Sequence, residues 1–74
     1  MIDWQKAYRA LAEAGFVDAQ ISDISGVSRS TVCHVRNGTW PYKHDPGHEG
    51  GEAVLAAIRR AVDAGWLEKN PLEN

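Results

Sequence analysis

What the sequence has little of limits the kind of protein it can be. A single cysteine, Cys33, excludes an intrachain disulfide framework and the small secreted domains that depend on one. No apolar run approaches the roughly 20 residues that span a bilayer, and the first residues lack the charged-then-apolar order of a signal peptide. Positive charge is also scarce, because 8 Lys and Arg stand against 10 Asp and Glu. We therefore expect a cytoplasmic protein that is stabilised by packing alone.

The length of 74 residues allows one hydrophobic core and is too short for two. We expect one domain over 1–67 and a frayed tail over 68–74, which contains Pro71 among polar residues. A core this small gives marginal stability, and a surface buried between two copies would add to it. The sequence therefore favours a homodimer.

Apolar spacing and helix-terminating residues predict an all-α bundle of about four helices. In chain order, the expected caps and stops are Asp3 and Gly15, Asp18 and Gly26, Ser28 and Gly38, then residue 51 or 52 and Gly65. Between the third and fourth helices, residues 39–51 contain Trp40-Pro41, Asp45-Pro46-Gly47 and Gly50-Gly51. Because these are breaker combinations, we expect an irregular loop or arm there.

The third predicted helix has one apolar and one polar face. Val32 and Val35 point inward at i, i+3 spacing, Val27 closes the corner, and Gly26 suits a left-handed turn. The opposite arc carries Arg29, Ser30, Cys33, His34 and Asn37. Residues 28–44 include no acidic side chain, although the net charge of the chain is −2. This face therefore offers hydrogen-bond donors to base edges and phosphates.

Residues 18–38, with the sequence DAQISDISGVSRSTVCHVRNG, resemble the helix-turn-helix of phage Cro and CI repressors. The Gly-Val-Ser-x-x-Thr-Val run is also similar to the Lac repressor family, but the helix that precedes the motif favours the Cro/CI type. The resemblance implies a bacterial or phage transcriptional regulator, most simply a repressor, in the cytosol or nucleoid. It implies that the helix over 28–37 enters the major groove of double-stranded DNA. The expected target is a palindromic operator with half-sites about one helical turn, near 34 Å, apart.

Residue roles follow from the same resemblance. Base reading is carried over to Arg29, Ser30 and His34, and the outward face adds Asn37. The residues expected at the DNA backbone are Gln20, Ser28, Thr31, Cys33, Arg36, Thr39 and Lys43. The family often places Gln at the start of the first motif helix to hold a phosphate, whereas this chain has Asp18 or Ala19 there. Gln20 or the bare N–H groups of that helix start are the alternatives.

Two apolar features of the second half have open roles. The candidates for a dimer interface are Leu55, Ile58, Val62, Trp66 and Leu67, although the spacing of this stripe is first of all that of a core. Trp40 either covers the open end of the core or lies along DNA with Tyr42 and Lys43. These two interpretations are compatible, because an indole has an apolar body and a polar edge.

Other functions are weighed against DNA binding. His44 and His48 have a spacing seen in some zinc sites, with Cys33 and His34 as further ligands, but the single cysteine and Pro46-Gly47 favour exposed loop histidines. No catalytic constellation is visible, so we expect no enzyme activity, cofactor, metal or small-molecule ligand. The alternatives are a protein-interaction module such as an adaptor or antitoxin, which the net negative charge favours, and a DNA-binding accessory to transposition or excision.

Overall fold

The computed structural model describes residues 2–72. These residues form four helices and no strand: α1 Trp4–Glu13, α2 Asp18–Ser25, α3 Arg29–Asn37 and α4 Gly47–Asp63. The predicted all-α bundle is therefore confirmed. Among the same residues, none of the helices is both long and apolar enough to cross a membrane.

One apolar cluster holds the helices together, and every helix contributes to it. Its largest fully buried side chains are Tyr8 and Leu11 of α1, Ile21 of α2, Val32 of α3, and Val54 and Ile58 of α4. The helices α1 and α2 each pack against both α3 and α4. Burial of a Val, Leu or Ile side chain contributes about 1.5–3 kcal/mol, so this cluster is the main source of stability.

Three residues, 26–28, connect α2 to α3. Gly26 has a φ of +76°, the left-handed geometry predicted for this turn, and Val27 packs against the core cluster. The Ser22 hydroxyl donates to the Val27 carbonyl oxygen at 2.6 Å. The Ser28 hydroxyl accepts from the Thr31 backbone N–H at 3.2 Å, which confirms Ser28 as the cap of α3. The turn is therefore fixed by side chains on both of its flanks.

The start of α2 differs from the prediction. Val17 occupies the cap position, and Asp18 is the first residue of the helix. The Val17 N–H donates to the Gln20 side-chain carbonyl oxygen at 2.9 Å. Gln20 thus makes the contact that the third residue of a capping box makes with the cap residue, and the Asp18 carboxylate is left to bind elsewhere.

The helix α4 begins at Gly47, so the prediction of an irregular segment as far as residue 51 was wrong. The Asp45 carboxylate accepts from the Gly47 N–H at 2.8 Å and satisfies a donor of the first turn. A Cβ at Gly50 would collide with the Ser25 carbonyl oxygen, and one at Gly51 would lie 2.9 Å from the Trp4 ring. The two glycines therefore allow close helix packing and do not break α4.

Part of the predicted tail packs onto the fold. Leu72 lies against the core cluster, and its N–H donates to the Asn70 side-chain oxygen at 3.0 Å. The packed part of the chain thus extends past residue 67. Residues 73–74 of the predicted tail lie outside the described residues.

Candidate nucleic-acid interface

The outward face of α3 carries the residues that the sequence assigned to base reading. Arg29, Ser30, His34 and Asn37 are exposed. Val32 and Val35 of the same helix are buried against the other helices. The four polar side chains therefore share one accessible surface on a helix that is held from behind by its apolar face.

A shallow groove of about 510 Å³ separates the start of α2 from the outward face of α3. Its lining consists of Val17, Asp18, Ala19, Arg29, Ser30, Cys33 and His34. The apolar side chain of Val17 is 60% exposed. An exposed methyl group beside the polar residues expected to read bases is suited to contact with a thymine methyl. Val17 was not among the site residues predicted from the sequence, although an apolar residue directly before a short helix was a signal that could have identified it.

Arg36, expected to meet a phosphate, is held by a carboxylate of the same chain. Its Nε and Nη2 donate to the two Asp18 carboxylate oxygens at 3.0 and 3.2 Å. Both side chains are 30% exposed. The hydrogen bond to Asp18, together with the carboxylate charge, raises the pKa of Arg36 above its ordinary value. The ion pair cancels positive charge beside the groove, so the guanidinium that the sequence assigned to a phosphate is neutralised within the chain.

Arg9 supplies a cation that the sequence analysis did not assign to this surface. Its Nε donates to the Arg36 carbonyl oxygen at 2.9 Å, and the residue is exposed. The carbonyl groups at the end of a helix carry partial negative charge, which favours a guanidinium there. Because Arg9 belongs to α1, only the packing of α1 against α3 reveals this position.

The hydroxyl groups at the start of α3 bind each other. The Ser28 hydroxyl donates to Thr31 Oγ1 at 2.9 Å while it accepts from the Thr31 N–H. The hydrogen of Ser28 is therefore committed within the cap, whereas the Thr31 hydroxyl hydrogen is left to donate outward. Of these two residues expected at the DNA backbone, Thr31 is therefore the one whose hydroxyl hydrogen can donate to a phosphate.

Two further candidates have side-chain partners within the helices. The Asn37 amide donates to Cys33 Sγ at 3.4 Å, one turn away on α3. The carbonyl oxygen of the exposed Gln20 amide is used by Val17, but its NH₂ group has no hydrogen-bond partner among residues 2–72. Gln20 therefore retains the donors that a phosphate contact requires.

The end of α3 brings His34 and Thr39 together. The ring Nδ1 of His34 and Thr39 Oγ1 lie 2.9 Å apart in a hydrogen bond. Both residues are exposed. Thr39, expected to contact the DNA backbone, is thus also a partner of an expected base reader.

The segment over residues 39–46 contacts the rest of the fold through Trp40 and His44. Trp40 packs against the core cluster, as one of its two interpretations required, while Tyr42 is 74% exposed and Lys43 is exposed. The Tyr8 hydroxyl lies 2.6 Å from His44 Nε2. Burial lowers the pKa of His44 and raises the pKa of Tyr8 to about 12.

The expectation of two exposed loop histidines was wrong for His44, which is half-buried because it contacts Tyr8 and Trp40. His48 is exposed as expected, but it lies in the first turn of α4 and not in a loop. Within the described residues 2–72, no group of three or more His, Cys, Asp or Glu side chains is placed to hold a metal ion.

The candidate dimer residues differ strongly in exposure. Ile58 is completely buried within its own chain, so its assignment to a dimer interface was wrong. Leu67 is half-buried against the core cluster, and Leu55 and Val62 are half-buried. Trp66 is 56% exposed, with its ring 6.2 Å from that of Phe16. Among the five candidates, Trp66 is therefore the best placed to contact another molecule.

Comparison of the chain with protein-family models, curated proteins and solved structures finds no match. The resemblance to Cro and CI repressors stays a prediction from residues 18–38 of the sequence.

Proposed function

We propose that the protein binds double-stranded DNA sequence-specifically and regulates transcription in a bacterial or phage setting, most simply as a repressor. The helix α3 is the major-groove reader. The observation that carries the proposal is the exposed set of Arg29, Ser30, His34 and Asn37 on one face of α3, opposite its buried valines. Arginine paired with guanine is the commonest specific contact to a base, so Arg29 is the principal reader.

The local charge supports this proposal better than the net charge does. No acidic residue occurs between Ser28 and His44, and the nearby Asp18 is neutralised by Arg36. Lys43 is exposed after α3, and the guanidinium of Arg9 lies at the end of that helix. Association with a polyanion depends on such a cationic surface more than on the charge of the whole chain.

Homodimerisation is part of the proposal, because two copies related by a twofold axis read a palindromic operator. Trp66 is the residue around which we place the interface. It borders an apolar groove that also includes Phe16, Ile24 and Ala57. This groove shares no lining residue with the groove at α3, so dimerisation and DNA binding do not compete for the same side chains.

Selection of bound duplexes from a random pool tests the proposal. We expect an enriched palindromic site and a preference for guanine that disappears in Arg29→Ala. Arg59→Ala is the matched control, because Arg59 is an exposed arginine on α4 and should leave the enriched site unchanged. Failure to enrich any duplex at low salt would contradict the proposal.

A protein-interaction module is the second candidate, and the exposed Trp66 beside its groove is the observation that favours it. Large exposed apolar side chains commonly mark protein contacts. If this candidate is right, the protein binds no heterologous duplex even at low salt, or retains a duplex equally well after charge reversal at Arg29. A DNA-binding accessory to transposition or excision would share the DNA chemistry of the first proposal.

A further inference from the structure

Gly38 places Thr39 beside the His34 ring. Gly38 has a φ of +76° and ends α3. The Thr39 N–H then donates to the His34 carbonyl oxygen at 2.9 Å, and the Gly38 N–H donates to the Val35 carbonyl oxygen at 3.1 Å. This pair of bonds is the Schellman pattern of helix termination. The Thr39 hydroxyl is therefore positioned by the backbone.

The two contacts of that hydroxyl favour one of the two neutral tautomers of His34. Thr39 Oγ1 lies 3.3 Å from the His34 carbonyl oxygen, to which it donates, and 2.9 Å from His34 Nδ1. A hydroxyl has one hydrogen, and a carbonyl oxygen can only accept it. The Nδ1–H tautomer forms both hydrogen bonds, because Nδ1–H donates to Oγ1 while the hydroxyl donates to the carbonyl oxygen. In the opposite tautomer the hydroxyl hydrogen goes to Nδ1, so that one of the two hydrogen bonds is lost and the carbonyl oxygen keeps its backbone donor, the Thr39 N–H. The Nδ1–H tautomer is therefore favoured by one additional hydrogen bond.

We propose that Thr39 holds neutral His34 as the Nδ1–H tautomer, so that α3 presents an outward hydrogen-bond acceptor that selects adenine or cytosine. Nε2 has no hydrogen-bond partner among residues 2–72, and His34 is exposed. In the major groove, the adenine N6 and cytosine N4 amino groups donate, whereas guanine offers acceptors there. A bare Nε2 lone pair therefore accepts from adenine or cytosine and is repelled by guanine N7 and O6.

This inference rests on the proposed function and assigns Thr39 as a positioning residue that acts through His34. It also gives two residues of α3 opposite hydrogen-bonding roles. Arg29 donates to guanine, and His34, five residues further along α3, accepts from an amino group. One such neutral hydrogen bond gives about a two- to tenfold preference at a single base pair of each half-site.

The tautomer can be measured without DNA. Proton–nitrogen NMR spectra of the ¹⁵N-labelled imidazole rings are recorded at about pH 8, where imidazole side chains are ordinarily neutral. The His34 signals are those that vanish in His34→Gln. We expect Nδ1–H in the wild type and in Thr39→Ser, which keeps the hydroxyl, and a shift toward Nε2–H in Thr39→Val, which keeps the shape. An Nε2–H tautomer in the wild type, or an unchanged tautomer in Thr39→Val, would overturn the inference.

Duplex selection at the same pH tests the consequence for DNA. The base pair read by His34 is the one whose preference disappears in His34→Ala. The wild type and Thr39→Ser should prefer adenine or cytosine there, and Thr39→Val should lose about two- to tenfold of that preference. A chain that binds duplex but reads guanine through His34 would overturn this inference alone. A chain with the Nδ1–H tautomer that binds no duplex would overturn the base-reading role and the proposed function together.

Discussion

The Tyr8 hydroxyl and His44 Nε2, 2.6 Å apart, join α1 to the segment that follows α3. The two rings also meet edge to face, with centroids 5.3 Å apart, and Trp40 lies 6.2 Å from His44 in the same arrangement. A neutral imidazole can accept the phenol hydrogen through Nε2, and an imidazolium would instead donate to the phenol oxygen, so the hydrogen bond itself does not require the neutral ring. Burial of the ring disfavours its charged form and lowers the pKa of His44, so the packing of this segment depends on the charge of one histidine.

The first prediction is a loss of stability on acidification that depends on His44. Burial lowers the pKa of His44 in the folded protein, so the unfolded chain takes up a proton first as the pH falls. The contribution is complete above the unfolded histidine pKa of about 6.5 and is lost as the pH falls below it toward the folded value. Urea unfolding at about pH 8 and pH 5 should show a smaller change for His44→Gln than for the wild type. His48→Gln, the control, should behave as the wild type, and equal changes in all three proteins would contradict the account.

The second prediction is that Asp18→Asn strengthens DNA binding, because it releases Arg36 from its ion pair to meet a phosphate. The slope of log affinity against log salt should become steeper by about 1. The stability cost should be about 1 kcal/mol or less, as for other partly exposed pairs. Asp23→Asn, the control, removes an exposed acid of α2 without releasing a cation. Identical salt slopes for the two variants would show that Arg36 gains no phosphate contact.

The third prediction concerns the crossing of α2 and α4. Gly50→Ala should destabilise the protein by about 1–3 kcal/mol, because its methyl group would displace the Ser25 carbonyl. This cost should exceed the gain in helix propensity, which is about 1 kcal/mol at most. Glu52→Ala, at an exposed position of the same helix, should change the free energy of unfolding by no more than about 0.5 kcal/mol. A Gly50→Ala protein as stable as the wild type would contradict the assignment.

The fourth prediction concerns association through Trp66, which is 56% exposed. The wild type should sediment as a dimer at micromolar concentration, and Trp66→Ser should sediment as a monomer because the central aromatic contact is lost. Tyr42→Ser removes another exposed aromatic side chain, outside the proposed interface, and should remain dimeric. A wild type that stays monomeric even on a palindromic duplex would exclude the homodimer.

Local signals predicted the elements that depend on local chemistry. The spacing of Val32 and Val35 identified the two faces of α3, because a helix repeats every 3.6 residues whatever it packs against. Ser28 and Gly26 were identified for the same reason, since a cap and a left-handed turn involve only adjacent residues.

Long-range contacts account for the errors. Gly50 was interpreted as a helix breaker because the backbone that requires its missing side chain belongs to Ser25, on another helix. Asp18 was expected to be a cap because nothing in its spacing showed that it faces Arg36. The phosphate contact of Arg36 stays a prediction. Packing decides which of several possible partners a side chain meets, and packing is a property of the whole chain.

The central claim is that α3 reads bases, and it is tested most directly by the affinities of Arg29→Ala and Lys43→Ala for a specific and a random duplex at two salt concentrations. The account expects Arg29→Ala to lose about 1–3 kcal/mol on the specific duplex and much less on the random one, because arginine discriminates guanine by that amount. Lys43→Ala should weaken both duplexes alike, with a salt slope shallower by about 1. Equal weakening of both duplexes by Arg29→Ala would contradict base reading by this residue and reduce it to a backbone contact.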